Sequence, residues 1–354
     1  MARQIKIKEI AEMAGVSAGT VDRVLHNRGN VSASSRAAVE KVLDKVGYKY
    51  NIHTSAVSLK KEFNIVIATP TAIEGEYWGT VRKGIENAIE EYSDIRLNHT
   101  YSYYSQFDVA SCRESFDKII DLHPDGVIIG PTFGEETARL CLCLDRAGIP
   151  YVFVDSVAEG TSPIATFTTD RRACGMVTAS LLDKFTAPGT KLAVFDGICS
   201  GGQDAVNHTG RRDGFTEYFS TRKEEGRIIE SFFSVTDNEW NRKNIPAFLE
   251  REKDLGGIAV INSRGHIMAD LLKEAGLCIP LVSFDLTTDN VRCLNDGHIS
   301  ALLCQRPQLQ GFQAVNAIIR YLLYRRKAPV THNEMPIDII IKENMSFYRS
   351  YFLS

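Results

Sequence analysis

The side chains best placed for chemistry in this 354-residue chain stand at the ends of short apolar runs. Asp155 closes the run 151–155, Asn262 closes 257–262, Phe284 and Asp285 close 281–285, and Gln305 follows 299–304. Tyr77 and Trp78 open the helical stretch after the first run, 64–69, and Arg211 opens another. Ligands of open α/β sheets sit beyond the carboxyl ends of the strands, so polar and aromatic groups repeated there form a candidate binding site. A single strand-end Asp is more often a helix cap; six such groups on successive strands are not explained that way. Their chemistry is that of binding, with aromatic faces to stack on a sugar ring and polar groups to exchange hydrogen bonds. No nucleophile–base spacing accompanies them. Cys141 and Cys143 lack a second pair or a neighbouring His at zinc-ligand spacing. Gly201-Gly202 lacks the Lys-Ser/Thr of a phosphate loop. No catalytic residue, metal or cofactor is therefore expected. An enzyme that uses Asp155, Asp285, Arg211 and His208 on a sugar is the weaker alternative.

Positioning those groups requires strands that alternate with helices. Apolar runs at 64–69, 126–130, 151–155, 191–196, 257–262 and 281–285 are separated by amphipathic stretches at 80–92, 111–122, 135–147, 173–185, 211–219 and 266–275. That alternation predicts parallel sheets covered by helices on both faces. The signal helix, Gly-Ile-Pro at 148–150, strand recurs as helix, Gly-Leu-Cys-Ile-Pro at 276–280, strand, which suggests two similar lobes.

A different pattern occupies the first fifty residues. Ile7, Ile10, Ala11 and Ala14 form one helical face, Gly15 ends that helix, and Ser17 caps a second one with Val21, Val24 and Leu25 as its apolar stripe. Ser32 caps a third helix that buries Val39, Val42, Leu43 and Val46. Two helices joined by a tight Gly-containing turn form a helix-turn-helix, whose second helix lies in the DNA major groove. Charge agrees: residues 1–60 carry a net +5, whereas the whole chain carries −3. A basic head on an acidic body suits phosphate contact at one end only.

The stretch 7–25 (Ile-Lys-Glu-Ile-Ala-Glu-Met-Ala-Gly-Val-Ser-Ala-Gly-Thr-Val-Asp-Arg-Val-Leu), with Asn30-Val31-Ser32 and Gly47-Tyr48, resembles the N-terminal domain of LacI/GalR-type bacterial repressors. The resemblance implies that Ala18 and Gly19 face base edges, with Arg23 one turn on, and that Ser17 and Thr20 meet phosphate. Lys6, His26 and Ser32 complete the expected head contacts. Ala18 and Gly19 offer almost no hydrogen bonding, so Arg23 is the main candidate for base recognition. Asp22 replaces the Ser common in the family, and its carboxylate must point away from phosphate or pair with Arg23 or Arg28. The family's hinge helix pattern Asn-x-x-Ala-x-x-Leu corresponds here to Asn51, Thr54 and Val57. Val57 would be the minor-groove wedge, a short one.

Residues 63–345 resemble the sugar-binding fold shared by LacI/GalR effector domains and type I periplasmic binding proteins. Carried over by motif, the implied effector contacts are Tyr77, Trp78, Asp155, Arg211, Asn262, Phe284, Asp285 and Gln305. These acceptors, donors and amides suit a neutral polyhydroxylated ring. Ser263-Arg264 replaces the Asp that often follows the strand-end Asn, which puts the ligand's charge in doubt.

The expected architecture is therefore an all-α helix-turn-helix head at 1–49, a hinge at 50–62, and two doubly wound parallel-sheet lobes in 63–354. One lobe is expected at 63–163 plus 286–327, the other at 164–285 plus 328–354, with the strand and helix of 297–325 returning to the first. Expected partners are a double-stranded DNA operator, a monosaccharide or polyol effector, and a second copy of the chain. The Cys residues lie mostly within apolar segments, which reads as buried reduced thiols. The chain opens on a charged helix and lacks an apolar run of about 20 residues. A cytoplasmic regulator is expected, and a sugar-binding receptor is the other alternative.

Overall fold

A computed structural model describes residues 7–25, 31–45, 62–198, 209–324 and 331–352. The head contains α1 (Ile7–Ala14), α2 (Ala18–Leu25) and α3 (Ala33–Lys45). Gly15 takes φ +65°, a left-handed turn that glycine adopts without a Cβ penalty. Ile10, Ala11, Val21, Val24, Val39 and Val42 form one small core, joined at its edge by Ile7, Ala14, Val16, Ala18, Val31 and Leu43.

The body begins with β1 (Glu62–Pro70), α4 (Tyr77–Glu91), β2 (Arg96–Tyr104) and α5 (Val109–Asp117). It continues with β3 (Gly126–Ile129), α6 (Gly134–Ala147), β4 (Tyr151–Asp155) and β5 (Ala165–Thr168). Then come α7 (Arg171–Phe185), β6 (Lys191–Ile198), α8 (Thr209–Ser220), β7 (Ile228–Ser234) and α9 (Asn238–Arg251). The last stretch holds β8 (Leu255–Val260), α10 (Gly265–Glu274), β9 (Leu281–Phe284), α11 (Thr288–Asn295) and β10 (Ala301–Cys304). It closes with α12 (Pro307–Tyr324), β11 (His332–Glu334), β12 (Asp338–Ile340) and α13 (Met345–Phe352).

Two six-stranded sheets result, ordered β11-β5-β4-β3-β1-β2 and β12-β10-β9-β8-β6-β7. Alternate residues of β1 serve opposite faces. Phe63, Ile65 and Ile67 pack under α4 and α12, while Val66 and Ala68 pack under α5 and α6. The second sheet has α7 and α8 on one face and α9, α10, α11 and α13 on the other. All pairings are parallel except β12 on β10, a small departure from the expected all-parallel lobes.

The lobe boundaries differ from those expected. β5 pairs with β4 in the first sheet, so the first crossover follows Thr168, not residue 163. α11 and β10 belong to the second lobe, and only α12 returns to the first. β11 then rejoins the first sheet before β12 returns to the second. The physical reason is pairing: β10 satisfies its backbone against β9, whose neighbouring edge is otherwise open. The two lobes are thus joined at three places, near Thr169, Arg306 and Ile337.

Each lobe contains a helix pair that meets through glycine. A Cβ on Gly84 of α4 would lie 1.9 Å from the Gln308 carbonyl oxygen, and one on Gly311 of α12 would lie 2.3 Å from that of Val81. In the second lobe, a Cβ on Gly175 of α7 would lie 1.9 Å from the Arg211 carbonyl oxygen, and one on Gly214 of α8 would lie 1.9 Å from that of Arg172. The helices approach at backbone distance because neither carries a side chain there.

Candidate effector site and helical head

In the head, the Ser17 hydroxyl accepts from the Thr20 N–H at 3.1 Å and lies 2.9 Å from the Thr20 hydroxyl. Ser32 caps α3 in the same way, accepting from the Ser35 N–H at 3.2 Å. Gly19, Arg23 and Ser32 are exposed; Thr20 is half-buried. Ala18 packs partly on the head core, which leaves only part of its methyl for a base edge. Lys6, His26, Asn51, Thr54 and Val57 lie outside the described residues.

The cleft between the lobes encloses a cavity of about 130 Å³ whose lining includes Tyr77, Trp78, Asp155, Arg211, Asn262, Asp285 and Gln305. Seven of the eight residues expected there come together. Phe284 does not line it. Its ring is fully buried in the core, and the Arg211 guanidinium stacks over it with Cζ 4.0 Å from the ring centre. Alternation places a residue one position before Asp285 on the opposite side of the chain, so Phe284 supports the cleft from behind.

Both strand-end aspartates hold left-handed backbone, Asp155 at φ +69° and Asp285 at φ +64°. Such conformations cost roughly 1–3 kcal/mol in a non-glycine residue and cluster at functional sites. Each is held by a buried partner: the Asp155 N–H donates to Gln310 Oε1 at 2.8 Å, and the Asp285 N–H to the Leu303 carbonyl at 2.9 Å. The Gln310 amide in turn donates to the Gln305 carbonyl at 2.9 Å. Gln305 is the hub of the site. Its Nε2 donates to both Asp285 oxygens at 3.1 Å, and its Oε1 accepts from Arg211 Nη2 at 2.8 Å and Thr169 Oγ1 at 2.9 Å. Arg211 Nη1 donates to the Ile261 carbonyl at 2.8 Å.

Two polar atoms of this wall, Arg211 Nε and the Tyr77 hydroxyl, are buried and make no well-formed hydrogen bond among the described residues, although Asp155 lies near enough to the hydroxyl to interact with it. Such groups are rare in folded proteins and mark where a ligand or water completes the network. Burial pushes the Tyr77 phenol well above its usual range, reinforced by Asp155 and Asp285, so it is a neutral donor. Burial also pushes the Asp285 carboxyl up to about 7, against the opposing pull of Arg211 and Gln305. The folded state therefore favours protonated Asp285. Its stabilising contribution is fully present below about pH 4 and is lost as pH rises towards 7. Asp285→Asn should consequently gain stability relative to the parent across that window, by about 1.4 kcal/mol per pH unit at most. Urea denaturation of both proteins from pH 4 to pH 8 measures the difference; a constant offset would contradict the raised value.

Residues not expected as effector contacts also line the wall, among them Glu76, Gln106, Thr132, Arg171 and Arg264. Arg171 lies 3.7 Å from Asp155, and burial lowers its pKa. Arg264 Nη1 donates to Glu76 Oε1 at 3.1 Å. The three arginines face Glu76, Asp155 and Asp285; with Asp285 raised to about 7, their charges balance only above that pH and leave the cleft positive below it. Arg171 was hidden because the amphipathic pattern of its helix starts only at Ala173. A partial signal for Arg264 did exist in its departure from the family motif.

Residues 6–51 match the family described as bacterial regulatory proteins, lacI family, and residues 65–325 match the periplasmic binding protein domain. Among curated proteins, the chain is 31% identical over 152 residues to the probable HTH-type transcriptional regulator EndR of Paenibacillus polymyxa, covering 42% of each chain. It is 26% identical over 182 residues to catabolite control protein A of Staphylococcus aureus, covering 51% of this chain and 53% of that one. The chain thus spans about half the length of these curated relatives. A Bacteroides fragilis structure described as a LacI transcriptional regulator superposes with TM-score 0.77 at 29% identity, over 81% of this chain and all of that one. A solute-binding protein from Agrobacterium vitis, bound with α-D-tagatopyranose, gives TM-score 0.69 at 20% identity, over 82% and 99% of the two chains. That likeness establishes the fold: two α/β lobes of the type I periplasmic-binding-protein kind.

Proposed function

Because this chain belongs to the lacI family of bacterial regulatory proteins, with a periplasmic-binding-protein domain behind its helical head, we propose that it is a DNA-binding transcriptional repressor released by a small effector. The effector is a neutral monosaccharide or polyol. The observation that carries this reading is the cleft, where two buried polar atoms without well-formed hydrogen bonds and two strained aspartates face a small cavity lined by donors, acceptors and aromatic rings. A polyhydroxylated ring supplies both donors and acceptors to such a set. The Agrobacterium vitis neighbour is bound with a sugar of this class.

The protein acts as a homodimer on a palindromic operator, since two heads related by a two-fold axis read two equivalent half-sites. DNA places it in the cytoplasm, and no helix among the described residues is long and apolar enough to cross a membrane. Closure of the lobes on effector favours one of two arrangements, and the arrangements differ in operator affinity. Operator duplex titrated at several salt concentrations, with and without a panel of monosaccharides, sugar acids and polyols, tests the whole reading. A steep salt slope and release by at least one neutral sugar are expected. Release by none of them, or by acids alone, would overturn the effector assignment.

The exposed Arg23 of α2 provides a sharper test of the head. Arg23→Ala should weaken cognate operator binding by about 1–3 kcal/mol and relax preference at one base pair per half-site. An equal loss on every sequence would identify Arg23 as a phosphate contact.

A further inference from the structure

The cleft is bridged at its mouth as well as at its hinge. Glu76, just ahead of α4 in the first lobe, meets Arg264, just ahead of α10 in the second, with 3.1 Å between Oε1 and Nη1. Each side chain is about one quarter exposed, at 26% and 24%. One residue upstream of Glu76, the Gly75 carbonyl accepts from the N–H of Thr288, the first residue of α11, at 2.8 Å. Gly75 has φ +79°, and a Cβ there would lie 2.2 Å from Thr288 Oγ1. Only glycine lets this loop reach the second lobe.

The Arg264 end is anchored separately. Its N–H donates to Asn262 Oδ1 at 2.9 Å, and the buried Asn290 holds the Ser263 carbonyl at 3.0 Å. Neither Glu76 nor Arg264 caps its own helix through its side chain. What each side chain does is meet the other across the gap.

We propose that Glu76 and Arg264 form a strap across the cleft mouth, holding the lobes together before any effector arrives. A partly exposed ion pair of this kind shifts an open–closed ratio by about fivefold. That is weak enough for thermal opening to admit a ligand, and strong enough to bias the lobes towards the closed arrangement.

The N–H of Thr288 reports on the strap directly, because its hydrogen-bond partner lies in the other lobe. Amide exchange of the full unliganded chain measures how often that contact opens. Arg264→Ala and the nearly isosteric Glu76→Gln should each speed Thr288 exchange about fivefold. In the parent, raising salt towards about 1 M should move exchange the same way through screening. The charge swap Glu76→Arg with Arg264→Glu should return it to within about twofold of the parent. Val194, in the middle of β6, serves as the control and should be unaffected throughout. Unchanged Thr288 exchange in both single variants, or a swap as fast as the singles, would overturn the strap. The salt titration needs no variant and decides the matter even if one fails to fold. Failure of the sugar or operator assignment would leave these exchange rates untouched, so the two readings fail separately.

Discussion

Arg211→Ala should cost about 3–5 kcal/mol of stability at pH 8, the largest loss expected from any single change at the site. The residue is only 6% exposed and its guanidinium does four things at once. It faces Asp285, holds Gln305, ties down the Ile261 carbonyl and covers the Phe284 ring. Truncation strands a buried carboxylate and leaves acceptors without donors, and the cost of an unmade bond exceeds the gain of a made one. The loss should shrink at pH 5, because Asp285, already raised to about 7 by burial, then carries a proton. Arg211→Lys retains the charge but not the planar fork, so it should fall between the two. Urea denaturation at both pH values decides this. A cost independent of pH would show that Arg211 acts through packing and not through the Asp285 charge.

The second large effect lies behind the site. Gly175→Ala puts a methyl group 1.9 Å from the Arg211 carbonyl oxygen and 2.7 Å from the Phe215 nitrogen. Both are backbone atoms and cannot rotate aside, so α7 and α8 must separate. Overpacking costs typically 1–3 kcal/mol, and a backbone obstacle puts this change at about 3 or more. Because the displaced atom belongs to Arg211, effector affinity should fall as well, although Gly175 does not line the cleft. Gly226→Ala, with nothing within 4 Å of its added Cβ, is the matched control and should be nearly neutral. Thermal denaturation and effector titration of both variants measure the two effects. A stable Gly175→Ala protein with intact affinity would mean that the helix pair is far more compliant than its geometry indicates.

Legibility in the sequence followed burial, with β5 the exception: Ala-Thr-Phe-Thr is fully buried but too short and too rich in Thr to stand out as an apolar run. β3, β4, β8 and β9 lie inside their sheets and read as predominantly apolar runs such as Gly-Val-Ile-Ile and Leu-Val-Ser-Phe. β2, with Arg-Leu-Asn-His-Thr-Tyr-Ser-Tyr-Tyr, was invisible because it is a sheet edge whose residues are mostly exposed. β7, β11 and β12 are sheet edges too, β7 only partly buried and the other two only three residues long. Site residues at strand ends were legible because the sheet itself fixes their location. Gln310 and Glu76 were not, since each meets the site through a partner more than 150 positions away, Asp155 for one and Arg264 for the other. The lobe boundaries were misplaced because a strand such as β5 has no local mark that says which sheet it joins. Cysteine usage was mostly legible: Cys112, Cys141, Cys174, Cys293 and Cys304 are buried, whereas Cys278 is exposed.

The way α12 returns to the first lobe has a consequence for how the chain is made. Ala314, Val315, Ile318, Ile319 and Leu322 belong to the same core as Phe63, Ile65 and Ile67, so that core spans some 250 positions of chain. On a ribosome, β1 to β5 emerge early and must wait for α12 with one face of their sheet uncovered. At bacterial synthesis speeds of roughly 5–20 residues per second, that wait is on the order of ten seconds. The three-helix head needs no such delay, since among the described residues its core is built from within 7–45. The nascent protein thus acquires its head long before its cleft. Substitutions that enlarge the apolar face left bare during synthesis should lower the yield of folded chains more than they lower the stability of the finished one.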